Sequence, residues 1–312
     1  MSSNSTGPGA KTILVTGATG RQGGAVAARL LAEGWKVRAF TRDPSSAKAK
    51  ALKEAGAEVV KGDLDDRASL DRAVDGAWGV FSVHAGAYEG GPYGHDLEHE
   101  GRTIAKLGAA AKDAGVVHLV HSSSVGVDGP MEPQMDMLQR KAEGERAVRG
   151  SGLPWTILRP TAFMENAFDS MRELQNGALV SLLWADTYEP LIAAADIAAF
   201  AAIAFADPEA HAGRVYELAG DDLTQAEKAA LIGRVVGREV PYVGITVEQV
   251  AANSPTTAKM IGIINENRMH VDIEALRKIH PGLLTFEQWM TGIGKPMVDA
   301  YFAKVDAAAN AA

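Results

Sequence analysis

Residues 12–31, TILVTGATGRQGGAVAARLL, decide the reading of the chain. A short β-branched run, Thr12–Thr16, leads straight into Gly17, Ala18, Thr19, Gly20, Arg21, Gln22 and Gly23, and then into apolar positions three and four apart. A strand, a glycine turn and an amphipathic helix in that order make a phosphate cradle. One glycine permits the tight turn, the next lets backbone N–H groups approach a pyrophosphate, and the third lets the helix pack on its strand. The spacing is Gly-x-x-Gly-x-x-Gly, and a glycine triplet alone would equally suit an ordinary βα turn. The strand before it and the helix after it favour the dinucleotide reading.

Outward from this turn, β-branched runs alternate with helical periods, the pattern of βαβ units. Strands are expected at Thr12–Thr16, Lys36–Thr41, Glu58–Lys61, Gly79–His84, Val116–Ser122 and Trp155–Arg159. Helices are expected at Gln22–Glu33, Ser45–Ala55, Ser69–Val74, Leu97–Ala114, Gln134–Gly150 and Ala162–Gln175. The fold class is α/β: a Rossmann-type doubly wound parallel sheet with a smaller C-terminal α/β lobe. A tail over 1–10, a dinucleotide-binding domain over 11–176 and a substrate or partner lobe over 177–305 are expected, with sheet elements free to interleave. In the lobe, strands are plausible at Ala178–Leu183, Val215–Leu218 and Glu239–Val243, and the Ala-rich end from Asp306 is expected to fray.

Composition narrows the function. The 312 residues are 46% hydrophobic and 22% charged, enough for a large soluble core. There is no cysteine, which removes disulfides, thiolate catalysis and sulfur-based zinc sites, and makes the cytoplasm the default location. The formal charge of −8 opposes phosphate-backbone attraction, so direct nucleic-acid binding is not expected. The polar start reads as no signal peptide. The apolar run Ala193–Ala206 is too short to span a bilayer, carries Asp196 and reads as a buried helix, so no membrane association is expected.

The second strand ends in Thr41 and Arg42, where an NAD site usually places an acid for the ribose 2′-hydroxyl. A guanidinium can fork onto a 2′-phosphate instead, so Arg42, helped by Arg21 and Lys48, points to NADP(H). Asp43 is the counter-candidate, able to take the ribose hydroxyl if the strand runs one residue further. Asp63 and Leu64 after the third strand suit an adenine amino group and face, although Asp63 also suits a helix cap.

GATGRQGG, FTRDP, GAEVVKGDLDD, the Lys141–Glu145 segment, GLPWTILRPTAFMEN and LTFEQW together resemble the NmrA-like family, atypical members of the short-chain dehydrogenase/reductase superfamily. The resemblance covers most of the chain and implies NADP(H) as cofactor. It leaves the reaction open, since the family mixes redox sensors acting on protein partners with reductases of quinones, dyes and phenolic ethers. It also implies that His84 and Ala85 face the cofactor, that Thr161, Ala162 and Phe163 contact the nicotinamide with Asn166 close by, that Lys141 binds the nicotinamide ribose, and that His99 lies near the cofactor.

The superfamily's Ser–Tyr–Lys arrangement is broken here. Lys141 is present, but the residue four earlier is Met137, and a thioether donates no proton. Lys141 is the candidate catalytic residue; its bland alternative is an exposed lysine paired with Glu145 one turn on. Ser122–Ser124 close the fifth strand and Arg159 the sixth. Residues 86–95, with Tyr88, Tyr93 and four glycines, read as a lid, and either tyrosine is a substitute for the missing phenol. His95 and His99 have a metal-like i, i+4 spacing but no third ligand, so no metal is expected. Ile192–Phe205, with Trp184, reads as core, while Phe163, Met164 and Phe168 suit either a buried face or the nicotinamide end. Two functions remain: an NADPH-dependent reductase of an apolar carbonyl- or quinone-type small-molecule substrate, and a non-catalytic NADP(H) sensor regulating a protein partner.

Overall fold

In a computed structural model of the chain, residues 8–84, 96, 98–168, 173–252 and 254–311 are described. Of the expected tail, Pro8–Ala10 form a 3-10 turn and residues 1–7 lie outside the described residues, as do Ala85, Tyr88, Tyr93 and His95. Six strands, β1 (Thr12–Val15), β2 (Lys36–Thr41), β3 (Glu58–Lys61), β4 (Gly79–Val83), β5 (His118–Ser122) and β6 (Trp155–Pro160), run parallel. Between them lie α1 (Arg21–Ala32), α2 (Ala47–Glu54), α3 (Arg67–Val74), α4 (His99–Asp113) and α5 (Asp136–Gly150).

The later chain forms β7 (Ala162–Phe163), β8 (Leu174–Gln175), β9 (Ala178–Ser181), β10 (Tyr188–Ile192), β11 (Arg214–Leu218), β12 (Asp221–Thr224) and β13 (Tyr242–Gly244). Its helices are α6 (Ala194–Ala206), α7 (Pro208–His211), α8 (Gln225–Val236), α9 (Val247–Ala251), α10 (Pro255–Glu266), α11 (Ile273–Ile279), α12 (Phe286–Thr291) and α13 (Lys295–Ala311). The main sheet has seven strands in the order β11-β6-β5-β4-β1-β2-β3. That is the Rossmann order, with the direction of travel reversing between β1 and β4, and in such sheets ligands bind beyond the carboxyl ends at the reversal.

The described residues divide into two compact units. One runs to Pro160 and resumes over Ile197–Glu217; the other consists of Thr161–Asp196 and the chain from Leu218 onward. Residues 161–168 and 173–176, placed by sequence in the first domain, fall in the second unit, and Ile197–Glu217, placed in the lobe, in the first. Phe205 of α6 accounts for part of that return, its ring lying 6.3 Å from that of Trp35 and 6.5 Å from that of Trp78.

The first unit's core joins Leu14, Val80, Leu119 and Ile157 from four strands to Leu70, Ile104, Leu107 and Val148 from α3, α4 and α5. Each such side chain contributes about 1.5–3 kcal/mol of burial. The second unit has a core of its own around Phe168, Leu179, Ile232, Phe286 and Trp289, carried by two small sheets, β12-β10-β7 and β13-β9-β8.

The expected helix Ala162–Gln175 is not formed. Thr161 gives both its N–H and its hydroxyl to Leu218 O, and β7 pairs with β10, so the backbone donors there serve strands. The helix-like apolar spacing comes from a single 3-10 turn, Met164–Ala167, which buries Met164, Ala167 and Phe168. Asn176 and Gly177 then adopt positive φ angles of 50° and 82° and close the β8–β9 hairpin, the Asn-Gly turn such hairpins favour. Strands β10 and β12 were not anticipated. Trp184 is 48% exposed and so does not belong to the expected core stripe. The Ala-rich end lies in α13, which runs to Ala311. Among the described residues no helix is long and apolar enough to cross a membrane.

Helix α5 is anchored to β6 by buried charge. Arg159 donates from Nε and Nη2 to the two oxygens of Glu145, each at 2.8 Å, and also bonds Asp128. Glu145 is fully buried and takes a further contact from Arg149. The carboxylates beside Arg159 push its pKa up despite its burial, which acts the other way. Removing one partner of such a pair strands the other, so Arg159→Met is expected to cost about 3–5 kcal/mol in urea unfolding. Unchanged stability would show that Arg149 and solvent suffice for Glu145.

Candidate functional site

The glycine turn stands at the carboxyl end of β1, inside the first unit. Gly17 has φ +58°, and a Cβ there would lie 2.8 Å from Val83 Cγ1. A Cβ on Gly23 would lie 2.3 Å from Gly17 O and 2.7 Å from Thr16 O, so only glycine lets α1 sit this close to its strand. Gly20 is the N-cap of α1 and has no side-chain cap, although its own N–H bonds Gly17 O at 2.8 Å. The first-turn donors of a helix find no acceptor within it, and here no capping side chain competes for them. The site therefore presents backbone N–H groups and partial positive charge.

Its neighbours are fixed. Thr16 Oγ1 accepts from Val83 N and donates to Val83 O, tying the ends of β1 and β4. Ser122 at the end of β5 donates to Gln22 Oε1. Ser123 is buried and its Oγ has no partner among the described residues, whereas Ser124 bonds the backbone of Val125. Ala18 is buried, while Thr19 and Arg21 are half-buried.

Arg42 follows β2, is exposed and has no side-chain partner among the described residues; Lys48 is also exposed. Asp43 accepts at Oδ1 from the hydroxyl and N–H of Ser45, and these bonds hold its carboxyl below the usual range. Asp63 accepts from Asp65 N at 3.0 Å and is not the cap of α3; that cap is Asp66, accepting from Ala68 N. Leu64 is half-buried against the first core.

Lys141 is not the exposed lysine of the bland reading. It is 8% exposed and its Nζ donates to Glu100 Oε1 of α4 at 2.9 Å, while Glu145, its alternative partner, is turned to Arg159. His121 is fully buried with Nε2 4.0 Å from the same Glu100 oxygen and Nδ1 3.3 Å from Ser82 Oγ. His84 follows β4 and is buried, with both ring nitrogens 3.4 Å from Thr103 Oγ1. Neither Glu100 nor His121 was singled out by sequence. Met137 is 38% exposed on the first turn of α5. His99 Nε2 lies 2.9 Å from Asp65 Oδ2, and among the described residues no cluster is arranged to hold a metal.

Thr161, Ala162 and Phe163 belong to the second unit. Thr161 is buried and Ala162 and Phe163 are half-buried in β7, with Asn166 half-buried in the turn that follows. Met164 and Phe168, left ambiguous by sequence, are core.

Against known proteins, the model of the NmrA-like family matches residues 9–288. The (4-alkanoyl-5-oxo-2,5-dihydrofuran-3-yl)methyl phosphate reductase of Streptomyces griseus subsp. griseus is 36% identical over 249 residues, covering 80% of each chain. The NAD(P)H azoreductase of Xenophilus azovorans is 32% identical over 240 residues, covering 76% of this chain and 78% of the relative. Among solved structures, NmrA, a negative transcriptional regulator in complex with NADP, superposes with a TM-score of 0.73 at 21% identity, covering 96% of this chain and 98% of its own.

The buried imidazoles of the first unit give its folding stability a pH dependence. Burial, followed by the charges of Lys141 and His99, lowers His84 to about 3. Burial, then His211, lowers His118 to about 4, and burial, then Lys141 and His84, holds His121 well below the usual 6.5. Between pH 6.5 and these values the unfolded chain binds protons that the folded chain refuses, so stability is complete above pH 6.5 and falls as pH drops. Each histidine contributes up to about 1.4 kcal/mol per pH unit in that window. Urea unfolding at pH 7, 5.5 and 4.5 reads the slope, and His118→Gln should flatten it; a profile unaffected by that substitution would contradict the assignment.

Proposed function

Because the chain belongs to the NmrA-like family, we propose that it is an NADPH-dependent reductase of an apolar carbonyl- or quinone-type small molecule. The observation that carries this reading is a glycine-built helix N-terminus without a side-chain cap, in the same unit as an exposed guanidinium that has no partner among the described residues and follows the adjacent strand. Gly17–Gly23 offer donors to a pyrophosphate, and Arg42 offers a planar fork to a 2′-phosphate. Asp43, the acid that would serve an NAD ribose, has its Oδ1 engaged by Ser45. Asp63 and Leu64 take the adenine side. The two curated relatives, each more than 30% identical over three quarters of this chain, are named as reductases, which supports the reaction class.

Bound in this cradle, NADPH supplies a hydride. Lys141 holds the nicotinamide ribose and, since Met137 carries no proton, is the chain's proton-bearing group in the position the motif provides. Met137 also favours a second reading, a non-catalytic NADP(H) sensor that engages a regulatory protein partner, which the loss of the phenol would permit.

NADPH oxidation with a panel of quinones, azo dyes and butenolides separates the two. Turnover that falls about a hundredfold in Lys141→Ala supports the reductase, whereas tight NADPH binding without turnover on any acceptor supports the sensor. Arg42→Ala is expected to weaken NADPH about tenfold or more and to leave NADH unchanged. Equal losses for both nucleotides would remove the 2′-phosphate assignment.

A further inference from the structure

We propose that Glu100 is the positioning residue for Lys141, fixing its ammonium from the neighbouring helix α4. The inference rests on the reductase reading for its catalytic consequence, but its structural content stands within the first unit alone.

Glu100 is the second residue of α4 and is 7% exposed. A carboxylate in a helix's first turn is favoured by the dipole, yet burying it requires a counter-charge. Lys141 Nζ supplies that charge at 2.9 Å. The other titratable groups facing the cluster do not compete: His121, 4.0 Å from the same oxygen, and His84 are both held neutral at physiological pH by burial and by the Lys141 charge. His99, at the start of the same helix, lies 2.9 Å from Asp65. Thr103 Oγ1 donates to the backbone of His99 and Glu100, at 2.9 and 3.0 Å, holding the helix start in place.

The helices are built for this contact. A Cβ on Gly144, three residues beyond Lys141, would lie 3.2 Å from Glu100 Oε1 and 2.9 Å from Ile104 Cδ1, and a Cβ on Gly101 would lie 3.1 Å from Glu143 Cβ. Glycine at both places lets α4 and α5 approach until the carboxylate reaches the ammonium. A free lysine samples many rotamers; one charge-assisted bond to a buried oxygen selects one and leaves the remaining N–H donors for a ribose and a substrate. Glu100 acts only through Lys141.

The test uses the full chain and Glu100→Gln, which keeps the shape and removes the charge, together with Glu100→Asp, which keeps the charge and withdraws it by one methylene. Acetic anhydride labelling of Lys141 in cofactor-free protein, read by mass spectrometry against Lys106 of α4 as internal reference, reports whether the amine is held. Labelling should rise several-fold in Glu100→Gln with Lys106 unchanged, and by an intermediate amount in Glu100→Asp. With NADPH and an accepted substrate, kcat should fall about tenfold or more in Glu100→Gln while the substrate KM stays near wild type, and Glu100→Asp should recover part of the loss. Wild-type labelling in either folded variant would overturn the proposal. Wild-type protein that fails to bind NADPH would overturn the reductase reading instead, leaving the labelling ratio to decide Glu100.

Discussion

The close approach of α1 to β1 at Gly23 is the constraint on which the rest of the site depends. With 2.3 Å between a notional Cβ and Gly17 O, any side chain would push the helix off its strand and turn its first N–H groups away from the sheet's carboxyl edge. Because β1 lies between β2 and β4, that edge is where the strand order reverses, and the bonds between Thr16 and Val83 keep the crevice walls in register. Arg42, Asp63 and His84 reach the same edge because they follow β2, β3 and β4 of a parallel sheet. The glycine turn thus fixes the position of the donors, and the sheet brings the specificity residues to the same end.

Helix α5 carries two buried ionic contacts with different partners. Lys141 is drawn to Glu100 on α4, and Glu145, one turn on, is drawn to Arg159 on β6. Each pair neutralises itself, so the helix is held from two sides without leaving an uncompensated charge in the core. The i, i+4 contact that sequence spacing suggests between Lys141 and Glu145 is given up for these two. The consequence is a lysine whose ammonium is held in one place while Met137, on the first turn, stays half in solvent.

The first unit was largely legible in the sequence. β2 and β3 fall on their expected limits, and β1, β4 and β6 differ by one residue, because short β-branched runs bounded by turn residues mark parallel strands locally. The segment after Pro160 was not. Phe163, Met164, Ala167 and Phe168 have helical spacing, yet the backbone of Thr161 and β7 bonds Leu218 and β10, partners 57 and 29 residues away that no local pattern reveals. The Asn176–Gly177 pair, just past the limit of the expected helix, carries a local hairpin signal. In the site, the glycine turn and Arg42 carry local signatures, whereas Glu100 meets Lys141 across 41 residues, and its importance rests on burial that composition does not encode.

The most direct test of the glycine turn as a dinucleotide cradle is a calorimetric titration of NADPH into wild-type protein and into Gly23→Ala, with circular dichroism to confirm that the variant is folded. Saturable binding of one NADPH per chain in the wild type and its loss in a folded Gly23→Ala protein is the expected result. Absence of saturable binding in the wild type, or undiminished affinity in the variant, would contradict it.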